Sequence, residues 1–274
     1  MTQININNIS INYQLEGEGK TIVFIHGLSD SLYYWEVLSS SLKNKYKILR
    51  FDLRGHGNST DNDEKTTINL YQDDLYHLLK ELKIEKATFI GLSLGGNIAM
   101  DFAIKHPEMV SGLIIMSSFC EYSPKLEKIF DDFLKGIDQG FVEFFDVILP
   151  YTIPEEMIEE SREELESFKY IAAETANVEG IKKGIKAGYE LNLTDKLNRI
   201  DAPTLVIAGK DDDLTDLDAQ KKISDNIKNS KLIVLEGTKH NILIGKNIGT
   251  VLDIINDFME KIEVDKDSKN SIID

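Results

Sequence analysis

The sequence is poor in cysteine, in basic charge and in long apolar runs. A single cysteine, Cys120, in 274 residues excludes an internal disulfide and fits a reducing compartment. Lysine and arginine number 31 against 47 aspartates and glutamates, a formal net charge of −16. No basic cluster stands out that would neutralise a phosphate backbone, so nucleic acid is not an expected partner and the acidity reads as solubility. The apolar stretches are all far shorter than the ~20 residues a membrane-spanning helix needs, so no membrane partner is expected. The opening "MTQININNIS" has neither the basic nor the apolar region of a secretory signal, and a cytoplasmic location is expected. What is present, 42% hydrophobic and 28% charged residues, suits one large α/β domain or two small ones.

Along the chain, "QINI" and "ISINYQLE" alternate around Asn7-Asn8 and predict a hairpin. "TIVFIHG", "YKILRFD", "KATFIG" and "VSGLIIMSS" are near-continuous apolar runs, as in strands buried on both faces. Between them, "SLYYWEVLSSSLK", "TINLYQDDLYHLLKELK" and "SLGGNIAMDFAIKH" have helical spacing, the second placing Leu75, Leu78, Leu79 and Leu82 on one face. Residues 119 to about 193 are helical in pattern with no clear strand. Alternation resumes with strands "APTLVIAG" and "SKLIVLEG" around a helix, and a last helix ends near Ile262. The order predicts an α/β protein with a mostly parallel, doubly wound eight-stranded sheet flanked by helices. Residues 1–118 and 194–263 would form one discontinuous core, 119–193 a helical lid and 264–274 a flexible tail.

"FIGLSLGGNIAM" places three glycines around Ser93 at the joint of a strand and a helix. Gly91-Leu92-Ser93-Leu94-Gly95 fits G-x-S-x-G, a pattern that chance produces in roughly one chain in ten of this length. The strand before it and the helix after it strengthen the match. A sharp turn there holds the serine in strained backbone geometry, brings backbone so close that side chains at 91 and 95 collide, and aims the helix N-terminus at the hydroxyl. The plain alternative is a glycine-rich turn with a capping serine. Neither G-x-G-x-x-G nor G-x-x-x-x-G-K-[ST] is present, which disfavours a phosphate loop.

A serine hydroxyl needs a base. Of five histidines, only His106 and His240 follow Ser93, and where a serine stands on such a strand–turn–helix joint the order is nucleophile, acid, histidine. His106, in "KHPEM", stands at a helix end, where it would cap carbonyls; His240, in "LEGTKHNIL", lies just past the last strand, at the sheet edge that carries Ser93. "TLVIAGKDDDLTD" supplies Asp211, Asp212, Asp213 and Asp216 at that edge. Such a run commonly faces water or caps a helix, but one of its members could orient the histidine. The D-x-D-x-D-G pattern of a calcium loop is absent, and no metal or cofactor is expected. The strand "TIVFIHG" ends in His26-Gly27; the next residue is Leu28, whose N–H could converge with that of Leu94 on a developing oxyanion.

At this point the chain resembles the α/β-hydrolase family, in its serine esterase and lactonase-like branch. "FIHGLSD", "FDLRGHGNS", "GLSLGG", "PTLVIAGKDDDLT" and "EGTKHN" occur in family order across almost the whole chain. The resemblance implies Ser93 as nucleophile, His240 as base, and the N–H groups of Leu28 and Leu94 as oxyanion hole. It selects Asp212 as acid, three residues after Gly209, with Asp211 and Asp213 as lesser choices and Glu121 as a remote one. Arg54 and His56 would be scaffold. Lys239 stands where many relatives have glycine, and Asp216 where many have proline. The lid would hold eleven of the 23 aromatic residues, with Phe130, Phe133, Phe141, Phe144, Phe145 and Tyr151 facing a pocket. Its glutamate-rich "EEMIEESREELE" reads as a solvated helix face. The expected activity is cleavage of an ester or lactone with a small to medium, largely apolar acyl or alcohol part, by a cytoplasmic monomer or homodimer. Enol-lactone opening, C–C bond hydrolysis and cofactor-free perhydrolysis share the scaffold, and a hydrolase-like small-molecule receptor is the reading from another class.

Overall fold

The computed structural model describes residues 2–270. Its centre is an eight-stranded sheet: β1 (Thr2–Ile6), β2 (Ile9–Glu16), β3 (Thr21–Ile25), β4 (Lys47–Phe51), β5 (Ala87–Leu92), β6 (Val110–Met116), β7 (Thr204–Gly209) and β8 (Ser230–Leu235). The order across it is β1-β2-β4-β3-β5-β6-β7-β8. The first hairpin turns at Asn7-Asn8, both at positive φ (44° and 60°), as the tightest hairpin loops require. β2 pairs antiparallel with β4, and β3 to β8 run parallel. The apolar runs that lack alternation are the central parallel strands; every residue of β5 is buried.

Helices cover both faces. On one, α2 (Ile68–Glu81), α3 (Leu94–Lys105) and α9 (Leu217–Asn226) pack Leu75, Leu78, Leu79, Ile98, Phe102 and Ile223 against the sheet. On the other, α1 (Glu36–Leu42) and α10 (Asn247–Asn270) bring Leu38, Leu42, Val251, Ile255 and Met259 onto Ile22, Phe24 and Ile48. The chain leaves β3 in one direction and returns to its other side as β5. A crevice therefore opens at the C-terminal ends of these two strands, where the connections diverge.

Between β6 and β7 lie five further helices: α4 (Pro124–Gln139), α5 (Phe141–Thr152), α6 (Glu155–Glu160), α7 (Arg162–Ala173) and α8 (Val178–Gly188). The ends of this insertion meet: Glu121 bridges Asn192, Tyr122 N–H donates to the Leu191 carbonyl at 3.0 Å, and Leu193 N–H donates to that of Cys120 at 2.8 Å. A short two-stranded neck so closes the segment.

Two expectations need correction. α10 does not end near Ile262 but runs on to Asn270, because "EVDKDSKN" contains neither glycine nor proline to stop it. Residues 264–270 are thus helical, and the remainder of the expected tail, 271–274, lies outside the described residues. His106 does not cap carbonyls with its side chain; the ring stacks on Tyr76 at 4.4 Å.

Gly95 packs α3 directly onto the end of β3. A Cβ there would fall on the carbonyl oxygen of Ile25 and lie 2.7 Å from that of His26. Gly95→Ala is expected to cost about 3 kcal/mol in urea denaturation, as backbone rather than a side chain must move. Gly249→Ala, in open space on α10, should change stability by less than about 1 kcal/mol. Equal effects of the two would show that the α3–β3 contact is not close.

Candidate active site

Ser93 sits between β5 and α3 with φ 52° and ψ −115°, a conformation rarely adopted by residues with a side chain. The turn is held from several sides. Ser93 N–H donates to the Met116 carbonyl at 2.9 Å. Its own carbonyl accepts from Gly96 N–H at 2.9 Å, Asn97 N–H at 3.1 Å and the Ser118 hydroxyl at 2.8 Å. A Cβ on Gly91 would land on the Gly95 carbonyl, so glycine is required at both ends of the turn. Leu94 is the first residue of α3, and its N–H has no acceptor within the helix.

Across the crevice, the turn after β3 carries Gly27 and Leu28. His26 anchors this turn. Leu53 N–H donates to His26 Nε2 at 3.0 Å, so the ring proton is on Nδ1, which donates to the Gly27 carbonyl at 2.7 Å. Burial, with His56 beside it, pushes the His26 pKa down to about 3 and keeps the ring neutral. Sequence reasoning treated His26 only as a strand end; its tautomer depends on a backbone group 27 positions away.

His240 follows β8 and is almost fully buried. Its Nδ1 lies 2.9 Å from Asp212 Oδ2. Asp212 Oδ1 accepts from the N–H groups of Leu214 and Thr215, each at 2.9 Å, and Oδ2 accepts from the Thr215 hydroxyl at 2.7 Å. Burial alone would raise this carboxyl. The adjacent imidazole and the Thr215 donors outweigh it and hold Asp212 below the usual carboxylate range. A carboxylate on Nδ1 fixes the proton there and leaves Nε2 as the basic nitrogen. Thr215 was not singled out from sequence; the signal was a hydroxyl three residues after the acid, where a side-chain turn forms.

The rival acids go elsewhere. Asp213 meets Lys239 at 3.5 Å, Asp216 caps α9 through Ala219 N–H, and Asp211 donates its N–H to the Thr238 carbonyl. Glu121 is taken by Thr194 and Lys222 at the neck of the insertion. Arg54 is buried and bidentate on Asp74, at 2.7 and 2.9 Å, and His56 Nδ1 faces the Arg54 carbonyl, so both belong to the scaffold.

Ser93, Leu28, Leu94 and His240 line one cavity of about 410 Å³. The insertion roofs it with Phe130 and Phe133 of α4, Phe141, Phe144 and Phe145 of α5, and Phe168 of α7. Tyr151, expected in the pocket, is not part of the lining; its ring meets Phe133 edge-on at 5.8 Å. The end of α5 is instead tied to the histidine loop. Lys239 Nζ donates to the Pro150 carbonyl at 2.8 Å and Asn241 N–H to that of Thr152 at 2.9 Å. Lysine in place of glycine at 239 thereby links the insertion to the residue beside His240. Among the described residues, no group of three His, Cys, Asp or Glu side chains is placed to hold a metal ion. No helix among them is long and apolar enough to cross a membrane.

Asp30 also lines the cavity and is half-buried. Burial pushes its carboxyl up to about 7, against a hydrogen bond from Ser31 N–H and with a contribution from Asp52. Between the unfolded value near 3.8 and about 7, the folded protein keeps a proton that the unfolded chain has lost, so this group lowers stability as pH rises. Asp30→Asn should therefore raise Tm by about 2 °C or more at about pH 8, and by progressively less towards about pH 4. A Tm difference that does not change with pH would contradict the raised carboxyl.

A family model described as serine aminopeptidase, S33, matches residues 18–247. The putative carbamate hydrolase RutD of Rhizobium rhizogenes is 26% identical over 229 residues, 82% of this chain and 87% of that protein. The 3-oxoadipate enol-lactonase 2 of Acinetobacter baylyi is 26% identical over 243 residues, 86% and 88% of the two chains. Among solved structures, MGS-M2, an α/β-hydrolase enzyme from a deep-sea metagenome library, superimposes with a TM-score of 0.89 at 22% identity, covering 94% of this chain and 97% of that one. With the parallel sheet, the strained serine turn and this match over most of its length, the chain belongs to the α/β-hydrolase family.

Proposed function

We propose that the protein is a serine hydrolase of carboxylic esters or lactones with a largely apolar body. One observation carries the reading: the Asp212–His240 pair faces the same cavity as the strained Ser93. In the proposed reaction Ser93 Oγ attacks the substrate carbonyl while His240 Nε2 takes its proton. The oxyanion is received by the N–H groups of Leu28 and Leu94. Collapse of the tetrahedral intermediate breaks the ester C–O bond, and His240 returns the proton to the leaving alkoxide. Water, deprotonated by His240, then attacks the acyl-enzyme and releases the acid. Asp212, saturated by four donors, stays ionised and stabilises the imidazolium.

The cavity volume and its seven phenylalanines support a small to medium apolar substrate, and the insertion would act as its lid. Lactone opening runs through the same steps, with the leaving alcohol still tethered to the acyl group. The enol-lactonase relative supports keeping it beside the ester reading.

Initial rates on p-nitrophenyl esters of increasing acyl length test the proposal. Turnover is expected for short and medium chains and is expected to vanish in Ser93→Ala; residual activity near wild type would remove Ser93 from the reaction. In the same assay Asp212→Asn should lower kcat by about 10⁴-fold, the order seen when a triad acid is neutralised. Asp213→Asn should stay near wild type, and a larger loss there than at 212 would overturn the choice of acid.

A further inference from the structure

The cavity carries one carboxyl that the proposed reaction does not use. Its ionisable lining residues are Asp30, Tyr34 and His240; neither lysine nor arginine is among the residues lining it. Tyr34 is engaged through its hydroxyl, which donates to Asn241 Oδ1 at 2.8 Å, and His240 is held by Asp212. Asp30 has one donor, Ser31 N–H on Oδ1 at 3.1 Å, and among the described residues it forms no ion pair. Other buried carboxyls among the described residues are supplied with partners: Asp74 pairs with Arg54 and Asp212 with His240, while Asp52 accepts from Asn12 Nδ2 and the N–H groups of Leu32 and Asn58. Asp30, with a single donor, faces a mostly apolar cavity, two residues beyond Leu28.

We propose that Asp30 is the recognition group for a positively charged substrate, an ester or lactone bearing a protonated amine whose ammonium rests against Asp30 while its carbonyl lies at Ser93. The assignment rests on the serine-hydrolase reading and names its substrate class. An ammonium supplies the counter-charge that the fold omits, and in a water-poor cavity such a pair is stronger than on a surface. The phenylalanine roof suits the same ligand, since ring faces attract cations. A substrate with a carboxylate would meet repulsion at Asp30 and find no cation in the lining to receive it. The raised affinity of the free carboxyl for its proton has the same origin, burial without a partner, and a bound ammonium reverses it.

Calorimetry on the intact protein with n-hexylammonium, hexan-1-ol and hexanoate tests this without any turnover. These share one apolar chain and differ in the charge of the head group. The ammonium is expected to bind about tenfold more tightly than the alcohol, with hexanoate weakest. Asp30→Asn should bring the ammonium-to-alcohol ratio close to one, Asp30→Ser should do the same by a second route, and Asp30→Glu should keep the preference. Equal binding of the three ligands, no ammonium binding at millimolar concentration, or a preference that survives both neutral variants would overturn the assignment. Ester turnover is read separately. Lost turnover with the ammonium preference intact would overturn the hydrolase reading alone; turnover without that preference would overturn the Asp30 assignment alone.

Discussion

The site depends on a contact that leaves no room for a side chain. The first turn of α3 sits on the carbonyls that end β3, and Gly95 is the residue in between. This approach sets the N-terminus of α3 beside the turn after β3, so that Leu28 and Leu94 line one cavity. It also forces the chain between β5 and α3 into the positive-φ conformation at Ser93. Such strain, of order 1–3 kcal/mol, persists only where the surroundings over-determine it. Here β6 takes the Ser93 N–H, while α3 and Ser118 saturate its carbonyl.

Around that contact the protein arranges two carboxyls in opposite ways. Asp212 is buried but receives four hydrogen bonds, and its proton affinity falls. Asp30 lines the cavity with one donor, and its proton affinity rises. Burial acts in the same direction on both; the donors decide the outcome. A carboxyl supplied with donors suits the support of an imidazolium, whereas one left without them is open to whatever enters the cavity. The helical insertion roofs the cavity that Asp30 lines, and its α5 carbonyls are anchored on the loop that bears His240.

Much of this was legible in the sequence because it rests on local patterns. The apolar runs marked parallel strands, the shift from alternation to uninterrupted helical spacing marked the insertion, and the glycines around Ser93 marked a turn without space. The meeting of Asp212 with His240 followed from their positions after two neighbouring parallel strands. What the sequence concealed is set by contacts distant along the chain. The tautomer of His26 depends on Leu53, and the isolation of Asp30 depends on which charges the insertion does not bring near it. Phe168 of α7 lines the cavity while Tyr151 of α5 does not, since rotation of a helix about its axis is decided by neighbours rather than by its own spacing. The extension of α10 was missed because a polar segment was taken for a frayed one, although nothing in it breaks a helix.

The central claim is that one serine, activated by His240, is the nucleophile. Reaction of the intact protein with a fluorophosphonate, followed by intact mass and peptide mapping, tests it most directly. The account predicts a single adduct, on Ser93, whose rate of formation collapses in His240→Ala. No adduct on the folded protein, or an adduct on another residue, would contradict it.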